Sequence, residues 1–214
     1  MAELQLNRDS LLRKEEKESL SLLDYVLIIL IVLLVANVLI QSFWLNPIKV
    51  DGESMMTTLN DGDWLYMDKL AKPERGAVVV FKRSETINYI KRIIAVEGDE
   101  LYSKNGIIYI KKSGTNEFVV VDYDCPYYQS GKPQGTYKNY SLENIALIKV
   151  GQGEMFVLGD NRWDSRDSRE IGLVKTSSIL GIVPSWAIER KDNYAWYLNL
   201  IENLNEWLVN TFTN

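Results

Sequence analysis

The chain has 214 residues, 46% hydrophobic and 25% charged, an ordinary balance for a folded protein of one or two domains. Its formal charge of -5 argues against a nucleic-acid partner, and the absence of histidine removes Ser-His-Asp and Cys-His catalysis and any imidazole metal ligand. One cysteine, Cys125, excludes an intramolecular disulfide, a Cys-rich zinc site and an iron–sulfur cluster; no metal or other cofactor is expected, and a catalytic base has to be Lys, Asp, Glu or Tyr.

From Tyr25 to Ala36 every residue is apolar or aromatic, and no charge occurs between Asp24 and Lys49. Roughly 20 residues at about 1.5 Å rise cross a hydrocarbon core of about 30 Å. Tyr25 and Trp44 stand at the two ends, where interfacial aromatic anchors belong. No Ala-x-Ala-like site follows, so the segment reads as an uncleaved transmembrane helix over 25–45, with the lipid bilayer as its partner. Arg8, Arg13, Lys14 and Lys17 precede it, and only Lys49 follows closely. The positive-inside rule then puts residues 1–24 in the cytoplasm and the bulk of the chain outside.

After Lys49 the chain reads as strands. Segments 64–67, 77–81, 89–96 and 154–158 are short, β-branched or aromatic, and bounded by Gly, Asp or Pro. Residues 101–104 and 107–110 flank Asn105-Gly106, a strong hairpin signal. Residues 113–142, rich in Gly, Ser, Asn, Tyr and Pro, read as a loop-rich insertion. The expected architecture is mostly β with helices at the two ends: a β domain over 46–190, an insertion at about 100–150, and an amphipathic helix over 191–214. Trp196, Leu200, Leu204, Trp207, Leu208 and Phe212 give that tail its helical spacing. It fits a helix packed on the domain or one lying on a membrane surface, although its polar face lacks the usual Lys and Arg.

Three segments are polar where scaffold would not be: 51–59 around Ser54, 89–94 where Lys91 interrupts an apolar strand, and 159–169, dense in Asp, Arg and Ser. Each alone has a plain reading, as a capped turn, a solvent-facing lysine and a loop of exposed ion pairs. A lysine can activate a serine only as the neutral amine. Free lysine titrates near about 10.4, so burial among residues such as Ile90, Ile93 and Ile94 would have to lower it. Ser–Lys pairs are a known variant of the Ser-His-Asp logic, and the Ser54 N–H is the natural donor to a developing oxyanion.

Together the segments resemble the bacterial type I signal peptidases, membrane-bound serine proteases that remove signal peptides from exported preproteins. The resemblance covers the transmembrane segment and most of residues 48–184. The Ser-Met-x-Pro-Thr-Leu box is matched by Ser54, Met55, Thr58 and Leu59, and the Gly-Asp-x-Val-Val-Phe strand by Gly76, Val79, Val80 and Phe81. Tyr89, Lys91 and Arg92 match Tyr-x-Lys-Arg, and the Gly-Asp-Asn-Arg-x-x-Ser-x-Asp-Ser-Arg loop is complete from Gly159 to Arg169. The resemblance implies Ser54 as nucleophile and Lys91 as general base, Ser165 as a hydrogen-bond partner of the lysine, Asp167 and Arg169 as an ion pair holding the site, and Asp160 and Asn161 as further support. It implies shallow pockets formed by Met55, Leu59, Tyr89 and Ile90, and by Ile48, Val50, Val80 and Ile90, taking small residues at -1 and -3 of a preprotein. The chain departs from the family at Thr57, where proline is usual, and at Gly52, Ala77, Ala95 and Glu97. Those departures motivate one rival reading, a weakly active or inactive relative that assists surface-protein assembly, against which the intact Ser54, Lys91 and Ser165 speak. A second rival, a self-cleaving repressor-type peptidase, shares the Ser–Lys chemistry, and the apolar segment and acidic charge speak against it.

Overall fold

The computed structural model describes residues 20–56, 58–104, 107–121, 145–162 and 164–212. Arg8, Arg13, Lys14, Lys17, Thr57, the Asn105-Gly106 turn, Cys125 and most of the expected 113–142 insertion lie outside the described residues.

Among the described residues of the N-terminal unit (Met1–Ile40), the one element is helix α1 (Leu22–Phe43). It begins at Leu22 rather than Tyr25 because Ser21 and Asp24 form a reciprocal cap: Ser21 N–H donates to Asp24 Oδ2 at 2.8 Å and Asp24 N–H donates to Ser21 Oγ at 3.2 Å. Its stretch Leu22–Ile40 is long and apolar enough to cross a membrane. The apolar run does not stay helical to residue 45. Leu45 already belongs to a strand, since Pro47 denies a continuing helix its N–H and disfavours helical geometry at Asn46.

The second unit is β. The strands β1 (Leu45–Lys49), β2 (Trp64–Asp68), β3 (Val78–Lys82), β4 (Asn88–Val96), β9 (Glu154–Leu158), β10 (Val174–Lys175) and β11 (Ile179–Val183) form an antiparallel sheet in the order β1-β2-β11-β3-β4-β9-β10. Pro47 is tolerated because β1 is an edge strand. A second antiparallel sheet contains β5 (Glu100–Lys104), β6 (Ile107–Lys111), β7 (Val119–Val120) and β8 (Ile148–Lys149), ordered β7-β6-β5-β8. Lys104 pairs with Ile107, the register of the expected hairpin.

Strand β3 sits at the middle of the large sheet and is apolar on both faces, so its side chains feed two cores by simple alternation. Val78 and Val80 pack with Val50, Met55, Leu59, Leu65 and Val183, while Val79 and Phe81 pack with Ile93, Met155 and Val157. A register shift between Ile93 and Ala95, at the pairing with β9, releases Ile94 into a third core under the small sheet, with Leu101, Ile110 and Phe156. The sheets are also clipped together by Asp99, which is fully buried. It takes a two-pronged hydrogen bond from Arg75 (2.7 and 2.6 Å) and the N–H groups of Val96 and Ser113.

Two short helices, α2 (Ser168–Ile171) and α3 (Ser185–Glu189), precede the terminal helix α4 (Lys191–Phe212). α4 is tied to the domain: Trp64 Nε1 donates to Asn199 at 2.8 Å, and Lys49 pairs with Glu202 at 2.7 Å. Leu200 and Trp207 remain exposed on it.

Candidate active site

The turn that carries Ser54 belongs to a loop closed at its base by Val50 and Asp63. Val50 N–H donates to the Asp63 carbonyl, and Gly62 N–H donates to the Val50 carbonyl, at 2.8 and 2.9 Å. Gly52 holds φ at +90°, in the region where a side chain would be strained, and its N–H donates to Asp61. Met55 and Leu59 are fully buried and plug the loop into the core. The N–H groups of Thr58 and Leu59 both donate to the Met55 carbonyl. Ser54 is thus the residue at which the chain leaves solvent for the core. Among the described residues its N–H has no acceptor.

Lys91 lies on β4 opposite Val79 of β3. It is 3% exposed, an unusual burial for a lysine. Its Nζ stands 2.6 Å from Ser54 Oγ, donates to the Ile90 carbonyl at 2.9 Å, and lies 5.1 Å from the centre of the Tyr89 ring. Burial is the largest influence on its titration and pulls it from 10.5 to about 8; the negative charges of Asp167 and Asp160 pull upward, and Arg169 pushes further down. At pH 7 about one lysine in ten would then be neutral, against fewer than one in a thousand for a free side chain. Of the isoleucines expected to surround it, Ile90 packs against the core under the Ser54 turn, while Ile93 and Ile94 belong to the other two cores.

The 159–169 loop supports both groups through buried polar contacts. Asn161 N–H donates to the Ser54 carbonyl at 3.0 Å, and its Nδ2 donates to the Glu53 carbonyl at 3.1 Å, which fixes the turn from one side. Asp160 takes Arg92 Nε and Nη2 at 2.8 and 2.6 Å and the Thr58 hydroxyl at 2.5 Å. The pairing of Arg92 with Asp160 has only a faint signal in the sequence, an arginine directly after the lysine. Asp167, fully buried, accepts from Arg169 Nε and Nη2 and from the Gly159 N–H, and also caps α2.

Ser165 departs from expectation. Its Oγ is buried and has no hydrogen-bond partner, so the expected bond to Lys91 is not formed. The amine is engaged with Ser54 and the Ile90 carbonyl instead, and the Ser165 side chain packs against Gly159. That packing explains the glycine. A Cβ at position 159 would overlap the Ser165 side chain and come within 2.5 Å of the Ser54 carbonyl. Gly159→Ala is accordingly expected to displace the Ser54 turn, costing about 1–3 kcal/mol of stability and at least about a hundredfold in any activity that depends on Ser54. Thermal unfolding beside a cleavage assay checks it; wild-type behaviour would mean that the turn can give way.

A groove of about 470 Å³ opens over the Ser54–Lys91 contact. Of the expected pocket residues, Ile48, Val50, Val80, Tyr89 and Ile90 line it. Met55 and Leu59 do not; they face the core beneath. The lining also includes Asp51, Glu53 and Arg166, charged side chains that hydropathy patterns leave anonymous. The described residues contain no cluster suited to holding a metal ion.

The family description "Signal peptidase, peptidase S26" matches residues 22–186, which contain every residue of this site. The Signal peptidase I of Bacillus amyloliquefaciens is 35% identical over 178 residues, covering 78% of this chain and 91% of that one. Signal peptidase IB of Staphylococcus aureus (strain Mu50) is 32% identical over 168 residues, covering 76% and 87%. The solved signal peptidase I of Enterococcus faecalis V583 aligns at 25% identity over 53% of this chain and 98% of that one, with a TM-score of 0.40. With a family match running from the apolar helix through the polar loop and into α3, and with relatives aligned over most of their own length, the chain belongs to the signal peptidase family, peptidase S26.

Proposed function

We propose that this protein is a membrane-anchored serine endopeptidase that removes signal peptides from exported preproteins, with Ser54 as nucleophile and Lys91 as general base. The observation that carries the reading is the 2.6 Å contact between Lys91 Nζ and Ser54 Oγ, made by a lysine too buried to hold its ordinary pKa. Neutral Lys91 takes the Ser54 proton as Oγ attacks the scissile carbonyl. The unengaged Ser54 N–H donates to the oxyanion that forms. The protonated Lys91 then gives its proton to the leaving amine. In the second half a water that gives its proton to Lys91 attacks the acyl carbon, and Lys91 returns that proton to Ser54 Oγ as the ester bond breaks. Asp160, Asn161, Asp167 and Arg169 hold the turn and the loop, and touch no reacting atom.

The groove walls supplied by Ile48, Val50, Val80, Tyr89 and Ile90 are apolar, which suits small residues at -1 and -3. Purified full-length protein in detergent is expected to cut a preprotein with Ala at both positions, and the new N-terminus identifies the bond. Replacing the -1 Ala with Leu or Trp should block cleavage sterically; efficient cutting after a large -1 residue would contradict this use of the groove. α1 serves as the anchor, with the N-terminus inside and the β domain outside. Protease added to intact cells tests that orientation by digesting the domain while sparing the N-terminal segment, and the opposite pattern overturns it. An inactive assembly factor is the competing reading, and Ser54 and Lys91 within hydrogen-bond distance speak against it.

A further inference from the structure

Helix α4 begins beyond residue 186, where the family match ends, yet it reaches the loop that carries Ser54. Its first residue, Lys191, pairs with Asp63 at 2.5 Å and donates to the Thr58 carbonyl at 3.4 Å. Both side chains are less than one-fifth exposed, so solvent screens the pair less than a surface one. Asp63 is the base of the loop: its carbonyl holds Val50, and its carboxylate also takes the Asn60 N–H at 2.7 Å. Thr58 is gripped on its other side, where its hydroxyl donates to Asp160. Thr58 N–H donates at 3.0 Å to the carbonyl of buried Met55, the residue that follows Ser54. A displacement at Thr58 is therefore felt through one hydrogen bond at the immediate neighbour of Ser54.

We propose that Lys191 is a positioning residue for the reaction, fixing the Thr58–Asp63 segment from α4 and so setting where Ser54 Oγ meets Lys91 Nζ. Asn161 holds the turn at the Glu53 and Ser54 carbonyls, and Lys191 holds the segment after it at Thr58 and Asp63. The family's own domain supplies the first hold, and the helix that follows it in this chain supplies the second. The inference rests on the roles of Ser54 and Lys91 proposed above, but it concerns a residue that touches neither.

The test uses the full-length protein in detergent with a preprotein substrate, at a temperature well below the unfolding midpoint of every variant. Lys191→Met is expected to lower kcat about tenfold with KM nearly unchanged, and Lys191→Arg to restore most of that loss. Asp63→Asn removes the charge pair while keeping an acceptor for Asn60. It should lower kcat in the same way, and the double variant should be no slower than the slower single variant. This second route keeps the test decisive if Lys191→Met folds poorly. A lower unfolding midpoint with unchanged kcat in both single variants, or a loss that arginine does not rescue, overturns the proposal. Ser54→Ala separates the two layers. If it is inactive while Lys191→Met runs at full speed, only the positioning role fails; if it still cleaves, both fail.

Discussion

Lys91→Met is expected to abolish cleavage, as Ser54→Ala should, while leaving the domain at least as stable at pH 7. Methionine keeps the length and apolar stem of lysine and removes the amine, so the proposed base is lost without opening a cavity. The sign of the stability change follows from the titration. In the folded chain Lys91 titrates near about 8, and unfolded it returns to 10.5. Between those values the unfolded chain binds more protons, so stability rises with pH through that window. Below about pH 8 the full penalty applies, about 3 kcal/mol on this difference. The two hydrogen bonds of the amine, to Ser54 and the Ile90 carbonyl, offset part of this at about 1 kcal/mol each. A net gain between zero and about 3 kcal/mol is therefore expected for the variant at pH 7, shrinking towards pH 10. In the wild type, kcat/KM should climb about tenfold per pH unit up to about 8 and then level off. Residual cleavage by Lys91→Met, or a loss of several kcal/mol, would make Lys91 a structural lysine.

Asp167→Ala should be the most damaging single change to the fold around the site. Asp167 and Arg169 are almost wholly buried, and the aspartate also receives the Gly159 N–H and caps α2. Removing it strands a guanidinium in low dielectric and leaves the Gly159 N–H without its acceptor, a loss of about 3–5 kcal/mol. Against a total of about 5–15 kcal/mol for a typical domain, that is enough to threaten folding near body temperature. Asp167→Asn keeps an acceptor and should lose less. Removing Arg169 as well should recover part of the cost, because the stranded charge disappears with it. Urea unfolding of the three variants decides the matter; a loss under about 1 kcal/mol for Asp167→Ala would place this pair among ordinary surface ion pairs.

Local pattern made much of the fold readable. The 101–110 hairpin follows from alternation around Asn-Gly, and the 154–158 strand from a short apolar run between glycines. Strand β1 was hidden because its Leu45 continues the apolar run of α1, and because Pro47 argues against a strand until the strand is known to be an edge. Strand β11 was hidden by Gly181, whose missing side chain makes room beside Met67 and the Asp68 carbonyl. Motif order brought Ser54 and Lys91 to attention together, but which face a residue presents is a tertiary fact. Met55 and Leu59 sit beside the serine in sequence and still point into the core, whereas Arg166 and Glu53 reach the groove. Ser165 illustrates the same limit, since its place in the loop says nothing about whether its hydroxyl meets the amine or packs on Gly159.

The Asp99 clip between the sheets separates acid inactivation from acid denaturation. Burial alone would raise this carboxyl, but the Arg75 fork and the N–H groups of Val96 and Ser113 outweigh it and hold it below its ordinary 3.8. Its contribution to stability is present above that ordinary value and is lost only as pH falls through the lower folded one. The proposed chemistry stops much sooner: with Lys91 titrating near about 8, only about a thousandth of the molecules keep a neutral amine at pH 5. Between about pH 4 and 6 the enzyme would therefore stand idle with its sheets still joined, and a return to pH 8 would restore it by losing one proton rather than by refolding.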